Sequence, residues 1–341
     1  MDKKEQKHET NKAVAFNDEV SETKNFNLLS FVKRYYLFLL LIVLCIVVGI
    51  VQPSFWSLGN MSNVLFQTAY IGISACGMTI LIASGLIDLS LAGIIAVSSI
   101  MVAKILPTST VEMAILVALV LGALFGLING LLVGMVKIAP FIATLGTQYL
   151  FLGTAFIMTQ GKVVPITSHN YRSLTTSKIA GIIPIALVVF ILLLALTFFI
   201  VKHTYIGRNA RAIGSNEVSA GLAGISVPWT KIIVFVFSGI CAALAGVFLA
   251  GRLSSTEGNM AMGIEMTVIA AVVVGGTSMR GGKASISGTL VGSIFFAVLS
   301  SALNILGVSS YLQYVVTGVV LIAAIAFGNR KLTMLEVRGE D

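Results

Sequence analysis

The sequence predicts an all-α, polytopic integral membrane protein, and three observations carry that prediction. Hydrophobic residues make up 57% of the 341-residue chain and charged residues only 11%, far from the make-up of soluble globular domains. The mean hydropathy is +0.99. Apolar runs of the roughly 17–25 residues needed to cross a bilayer recur about ten times, separated by short polar breaks. The formal charge of +8 does not argue for a nucleic-acid partner, because the basic residues lie between apolar runs rather than along one face.

In chain order, residues 1–34 are polar and of mixed charge and read as a disordered cytosolic tail. The first apolar run, Tyr35 to Val51, ends in QPSFW and lacks the small residues of a cleavage site, so it is read as a retained span. The expected spans are 35–52, 63–83, 87–106, 113–135, 139–159, 182–201, 231–250, 265–279, 284–304 and 309–327, followed by a second cytosolic tail at 328–341. The eighth is short, and a tight SGLID turn joins the second to the third.

Lysine and arginine set the orientation. With the amino terminus in the cytosol, the inner side holds Lys33, Arg34, Lys137, Lys202, Arg208, Arg211, Lys231, Arg280, Lys283, Arg330, Lys331, Arg338 and five tail lysines. Only Lys104, Lys162, Arg172, Lys178 and Arg252 fall outside. That bias puts both ends in the cytosol, and an even number of spans agrees with it. The longest outer loop then runs from Gln160 to Gly181.

Span four carries Gly122, Gly126, Gly130 and Gly134 on one face, and Gly288 and Gly292 repeat the spacing on span nine. In lipid, where packing rather than hydrophobicity drives helix association, such a ridge predicts close helix approach. Ten spans also admit an inverted repeat that relates spans two to five to spans seven to ten, an arrangement common among transporters.

The passage from Lys202 to Lys231 is the one long water-loving stretch between the first apolar segment and the carboxy terminus. Within it, Ser215 or Asn216 is placed to cap a short helix beginning near Glu217, whose acid suits the positive end of the helix dipole. Gly224 is placed to stop that helix. Val218 and Leu222, four residues apart, form a small apolar face on a helix too short to stand alone in water. A partner groove would use such a face; an ordinary loop packed on its own protein is the alternative.

Polar groups near the spans are the candidates for a solute pathway: Asp88, Asn129, Thr144, Thr147, Gln148, Glu265, Asn304 and Gln313. Asp88 either faces a cavity or caps the helix that follows at Leu89 and Ser90. The others either serve a hydroxyl-rich solute or bond neighbouring helices. Cys45, Cys76 and Cys241 lie in apolar runs without metal-ligand spacing and read as small hydrophobes, while His8, His169 and His203 are scattered, so no metal site or catalytic residue is expected. GGTSMRGGKAS does not meet the phosphate-loop spacing: Thr277 stands where its first glycine belongs and Ala284 where a Ser or Thr should follow the lysine. No Arg-rich voltage-sensing helix or TVGYG-like filter supports a channel.

Taken as a set, ASGLIDLSLAG (83–93), PFIATLGTQYLFLGTAFIMTQG (140–161), GRNARAIGSNEVSAGLAGISV (207–227), AGVFLAGRLSST (245–256), IAAVVVGGTSMRGGKASISGTLVG (269–292) and LNILGVSSYLQ (303–313) resemble the ribose-type monosaccharide permeases of the ATP-binding-cassette importers. The resemblance implies a subunit of a bacterial cytoplasmic membrane that works as a pair of permease chains. It also implies delivery of a sugar by an extracytoplasmic binding protein, and two separate ATP-binding domains that hydrolyse the ATP, so that this chain binds no cofactor of its own. The family's coupling segment matches 207–227, which assigns ATPase coupling to Arg208, Arg211, Ser215, Asn216, Glu217, Val218, Ala220, Leu222 and Gly224. Two departures touch the cargo: the family often has IDLSVGS where Ile87–Gly93 reads IDLSLAG, and often an Asp where Thr267 stands. Within the same class, a nucleoside, inositol or sugar-like signal is an alternative cargo; a self-contained ion-coupled carrier is the rival from another class.

Overall fold

A computed structural model describes residues 28–309 and 311–323. The expected tails, apart from residues 28–34, lie outside the described residues. The chain divides into two compact units that meet after Leu40. Helix α1 (Leu28–Val51) crosses that boundary, and the remaining helices belong to the second unit.

Among the described residues ten helices are apolar, six of them long enough to span a bilayer on length and composition and four shorter. After α1, a 3-10 turn at Pro53–Trp56 seats the buried Phe55. Ser57 then caps α2 (Leu58–Ala83), its hydroxyl accepting from Asn60 N at 3.3 Å. This cap starts the helix five residues before the expected 63, because a serine side chain supplies the acceptor that the first backbone N–H groups need.

At the other end of α2, Ser84 and the left-handed Gly85 (φ +74°) stop the helix, and α3 (Leu91–Ile105) begins four residues later than the expected 87. The backbone between them is held by Asp88. Thr110 caps α4 (Val111–Gly134), and Pro140 opens α5 (Pro140–Thr159), where its fixed φ and missing N–H cost nothing.

The long loop after α5 is built rather than loose. Strand β1 (Val164–Pro165) pairs antiparallel with β4 (Ser255–Thr256). Helix α6 (His169–Thr176) follows β1, and a small hairpin joins β2 (Lys178–Ile179) to β3 (Ile183–Pro184). Tyr171 of α6 is fully buried and donates its hydroxyl to Val247 O at 2.6 Å; burial raises its pKa above the ordinary tyrosine value, so it stays a donor. Ile166 and Tyr171 share a core with Val102, Ala118 and Ala250, which locks this cap onto α3, α4 and α10.

The chain then runs through α7 (Ile185–His203), α8 (Tyr205–Ser215), α9 (Glu217–Leu222), α10 (Val227–Leu253), α11 (Ile264–Val274), α12 (Ile286–Ile305) and α13 (Tyr311–Ala323). Helices α2 and α10 form the centre, 83% and 72% buried over their apolar windows, while α4 and α7 stay below 30%. An apolar helix that leaves most of its side chains outside the protein needs lipid around it. Leu116 and Val120 of α4 and Leu192 and Phe199 of α7 are such exposed residues.

The expected glycine ridge is where α4 meets α10. A methyl group added at Gly122, Gly126, Gly130 or Gly134 would strike Gly239 O, Phe235 O, Ile232 Cα or Pro228 O respectively. Their order runs backwards along α10, so the two helices lie antiparallel with backbones in contact. Gly288 and Gly292 do the same for α12 against Gly275 and Ala271 of α11.

Contacts are exchanged between the two sets of helices that the expected repeat would relate, α2–α5 and α10–α13. The first helix of each half packs on the third helix of the other half, α10 on α4 and α2 on α12. Each also packs on the second helix of the other half, α10 on α3 and α2 on α11.

Candidate functional site

Three groupings at different depths account for the residues singled out from the sequence. The first is the helical knob between α7 and α10. Thr204 caps α8, whose Gly207, Ala210 and Ile213 are buried; Arg208 is exposed, and Arg211 is half-buried with its Nε donating to Gly207 O at 3.3 Å. Gly214 sits so close to Ala83 O and Gly282 N that no side chain fits, and Gly282 N donates to Ala83 O at 2.8 Å. The end of α8, the end of α2 and the loop before α12 therefore form one tight junction. Ser215 is exposed, bonds Arg211 O, and stands against Gly282 at the same junction.

Asn216, rather than Ser215, is the cap of α9. Its backbone N–H ends α8 on Ala212 O while its side chain accepts from Ser219 N at 2.8 Å. Helix α9 stops in a Schellman turn: Gly224 is left-handed (φ +83°), Ile225 N reaches Ala220 O and Gly224 N reaches Gly221 O. Ala220 faces the protein, whereas Val218 and Leu222 are 73% and 86% exposed. Lys231, nearly buried in α10, meets the carboxylate of the more open Glu217 at 2.8 Å. Tyr205 and Trp229, which sequence reasoning did not single out, are also exposed at this end.

The second grouping is a buried polar relay. Asp88 Oδ1 accepts from Ser90 N (2.9 Å) and from Ser90 Oγ (2.6 Å), which starts α3. Asn129 of α4 donates from Nδ2 to Ser90 Oγ at 2.7 Å, and its Oδ1 accepts from Thr147 Oγ1 of α5 at 2.7 Å. Gln148 accepts from Gly93 N at 3.0 Å, and Thr144 donates to Pro140 O. Asp88, Asn129, Thr144, Thr147 and Gln148 are all buried, and this cluster ties α3, α4 and α5 together, with Asp88 Oδ2 left without a hydrogen-bond partner among the described residues.

The third is a groove of about 320 Å³ between α2, α11, α12 and α13, with Tyr70, Thr267, Ser300, Asn304, Gln313 and Thr317 as its polar lining. It lies at the capped end, where α11 and α13 begin and α12 ends, away from the knob. Gln313 Nε2 donates to Asn304 Oδ1 (2.8 Å) and to Val308 O (3.1 Å). Glu265 does not line the groove but stands beside it: its Oε2 accepts from N of the lining residue Gly263 at 3.1 Å and caps α11. No group of three or more His, Cys, Asp and Glu fit to hold a metal ion occurs among the described residues.

Ten apolar helices among the described residues, two of them buried at the centre, with a hydroxyl- and amide-lined groove at one end and a capped helical knob at the other, fit a membrane permease. A family model described as "Branched-chain amino acid transport system / permease component" matches residues 60–325, and the chain belongs to that family. It is 37% identical over 316 residues to the ribose import permease of Haemophilus influenzae, covering 91% of this chain and 97% of that one. It is 38% identical to the ribose import permease of Bacillus subtilis (86% and 92% covered) and 36% identical to the L-arabinose transport system permease of Escherichia coli (87% and 91% covered). No solved structure matches the chain.

Proposed function

We propose that this chain is the membrane subunit of a sugar importer of the ATP-binding-cassette class, that its cargo is a ribose-like monosaccharide, and that α9 is the element a separate ATPase pushes on. The single observation that carries the reading is the construction of α9. It is a six-residue helix with both ends tied off, its small Ala220 turned inward and its two large apolar side chains turned to water. Leaving Val218 and Leu222 in water wastes roughly 1.5–3 kcal/mol each relative to burial, which is reasonable only if a partner covers them.

The junction at Gly214, Ala83 and Gly282 supports the same reading mechanically. Movement of α9 passes through α8 into the ends of α2 and of the loop before α12, and α2 is one of the two central helices. ATP-driven closure of two nucleotide-binding domains would shift the knob, and the paired permease chains would rock to open their shared cavity to the opposite side. In this arrangement the knob faces the cytosol, both termini are cytosolic, and the capped end meets a sugar-binding protein. The relatives named for ribose and arabinose support a monosaccharide over the amino acid in the family's description. A nucleoside, inositol or sugar-like signal belongs to the same importer class and is separated by the cargo assay.

Cysteines placed at Val218 or Leu222 should cross-link to a co-expressed ATPase subunit; Ala220, which faces inward, is a poor choice. Absence of cross-links along 207–227 removes the lever. Uptake of D-ribose in vesicles should require ATP and the binding protein, and gradient-driven uptake without an ATPase would favour an ion-coupled carrier instead.

A further inference from the structure

We propose that the groove between α2, α11, α12 and α13 is a resting site for one neutral, polyhydroxylated solute on its way through the bundle, held by Asn304 and Gln313. This rests on the sugar-import reading and adds the residues that handle the cargo.

Five observations carry it. Of the residues lining the groove none is charged, and the nearby Glu265 carboxylate is engaged by Gly263 N, so the walls suit an uncharged ligand. The bond from Gln313 to Asn304 and Val308 uses both N–H groups of Gln313. Gln313 Oε1 and Asn304 Nδ2 are left without partners among the described residues, an acceptor beside a donor. A hydroxyl group is both at once, so adjacent hydroxyls on a sugar answer this pair, and Thr267, Ser300 and Tyr70 offer further hydroxyls along the wall.

Aromatic faces are present as well: Tyr70, Phe296 and Tyr314 line the same space and suit the C–H face of a sugar ring. The volume of about 320 Å³ is at the lower end of the roughly 300–1,000 Å³ range of small-molecule sites, enough for a single small solute. Finally, Asn304 is exposed and Gln313 and Ser300 are only half-buried. Amide groups turned towards hydrocarbon would be costly, so the groove opens on water, at the end opposite the knob, where a delivered sugar arrives.

The test uses the full importer, with its ATPase and binding protein, in vesicles given radiolabelled D-ribose and, in parallel, L-arabinose. Asn304→Ala and Gln313→Ala should each lower the maximal uptake rate about tenfold, the loss of one well-made hydrogen bond to the moving solute, while copurifying with the ATPase subunit as the wild type does. A second measurement is independent of transport. With Cys45 replaced by Ser, Ser300→Cys should react with a membrane-impermeant thiol reagent from the capped side, and Leu192→Cys, on the lipid-facing side of α7, should not. Uptake by both alanine variants within twofold of wild type overturns the proposal, as does a Ser300→Cys that is as unreactive as Leu192→Cys. Failure of the wild type to move either sugar when ATPase and binding protein are present overturns the import reading instead.

Discussion

At the residue scale, the buried relay through Asn129 shows how a polar side chain is made tolerable inside a membrane bundle. Ser90 and Thr147 are both satisfied through this one amide. Interhelical hydrogen bonds in bilayers average about 0.6 kcal/mol and reach about 1.7, so Asn129→Ala, which removes two while Ser90 keeps its bond to Asp88 and Thr147 its bond to Thr144 O, should cost about 1–3 kcal/mol. The thermal midpoint in detergent should fall accordingly, while the exposed Asn259→Ala should leave it unchanged. Asp88 is read the same way: its oxygen starts α3, and the sequence alone left open whether it did that or faced a cavity. Asn129, the next member of the relay, is 39 residues from Ser90 along the chain, a convergence that no local pattern announces.

Single elements obey contrasting rules for glycine. On α5, Gly153 has nothing within 4 Å of an added methyl, whereas on α4 Gly126 would meet Phe235 O and Val236 Cα. Gly153→Ala should therefore be neutral or stabilising by up to about 1 kcal/mol, the helix-propensity gain. Gly126→Ala, overpacking a backbone seam, should cost about 1–3 kcal/mol. Opposite signs in thermal unfolding of the two variants check this; the same sign would mean the ridge is not a contact. In α9 the cap matters more than in a long helix, since six residues have little else to hold them. Asn216→Ala removes about 1 kcal/mol of capping and should reduce ATP-driven uptake several-fold with little change in the global unfolding temperature. The α9 cap was legible because Asn, Glu and a following Gly punctuate so strongly; α8 was not, because Gly207 and Gly214 weaken helix propensity and only contacts with α7 and α2 explain them.

At the scale of the whole molecule, the bundle has two functional ends with the membrane between them. Val218→Asp combined with Leu222→Asp should abolish uptake and ATPase copurification while leaving the unfolding temperature intact, because both side chains are in water already. Sidedness has its own test: with Cys45 replaced by Ser, a cysteine at Leu222 should react only from the cytosolic side and one at Asn259 only from outside. The reverse pattern would turn the permease over in the membrane.

Composition and spacing by themselves determined that this chain is a helical membrane bundle of about ten apolar segments, which of its glycines allow close approach, and where a capped polar knob interrupts the hydrophobic chain. Those features are local: a run of apolar residues or a cap acts through neighbours within a turn or two. Only the tertiary structure decided that Asp88, Asn129 and Thr147 serve each other, that Asn304 and Gln313 meet in a groove, that the loops after α5 and α10 fold into a cap, and that Gly214 joins the knob to a central helix. Each of these depends on atoms far apart in sequence being brought within hydrogen-bond or van der Waals distance, and that is set by how the helices pack.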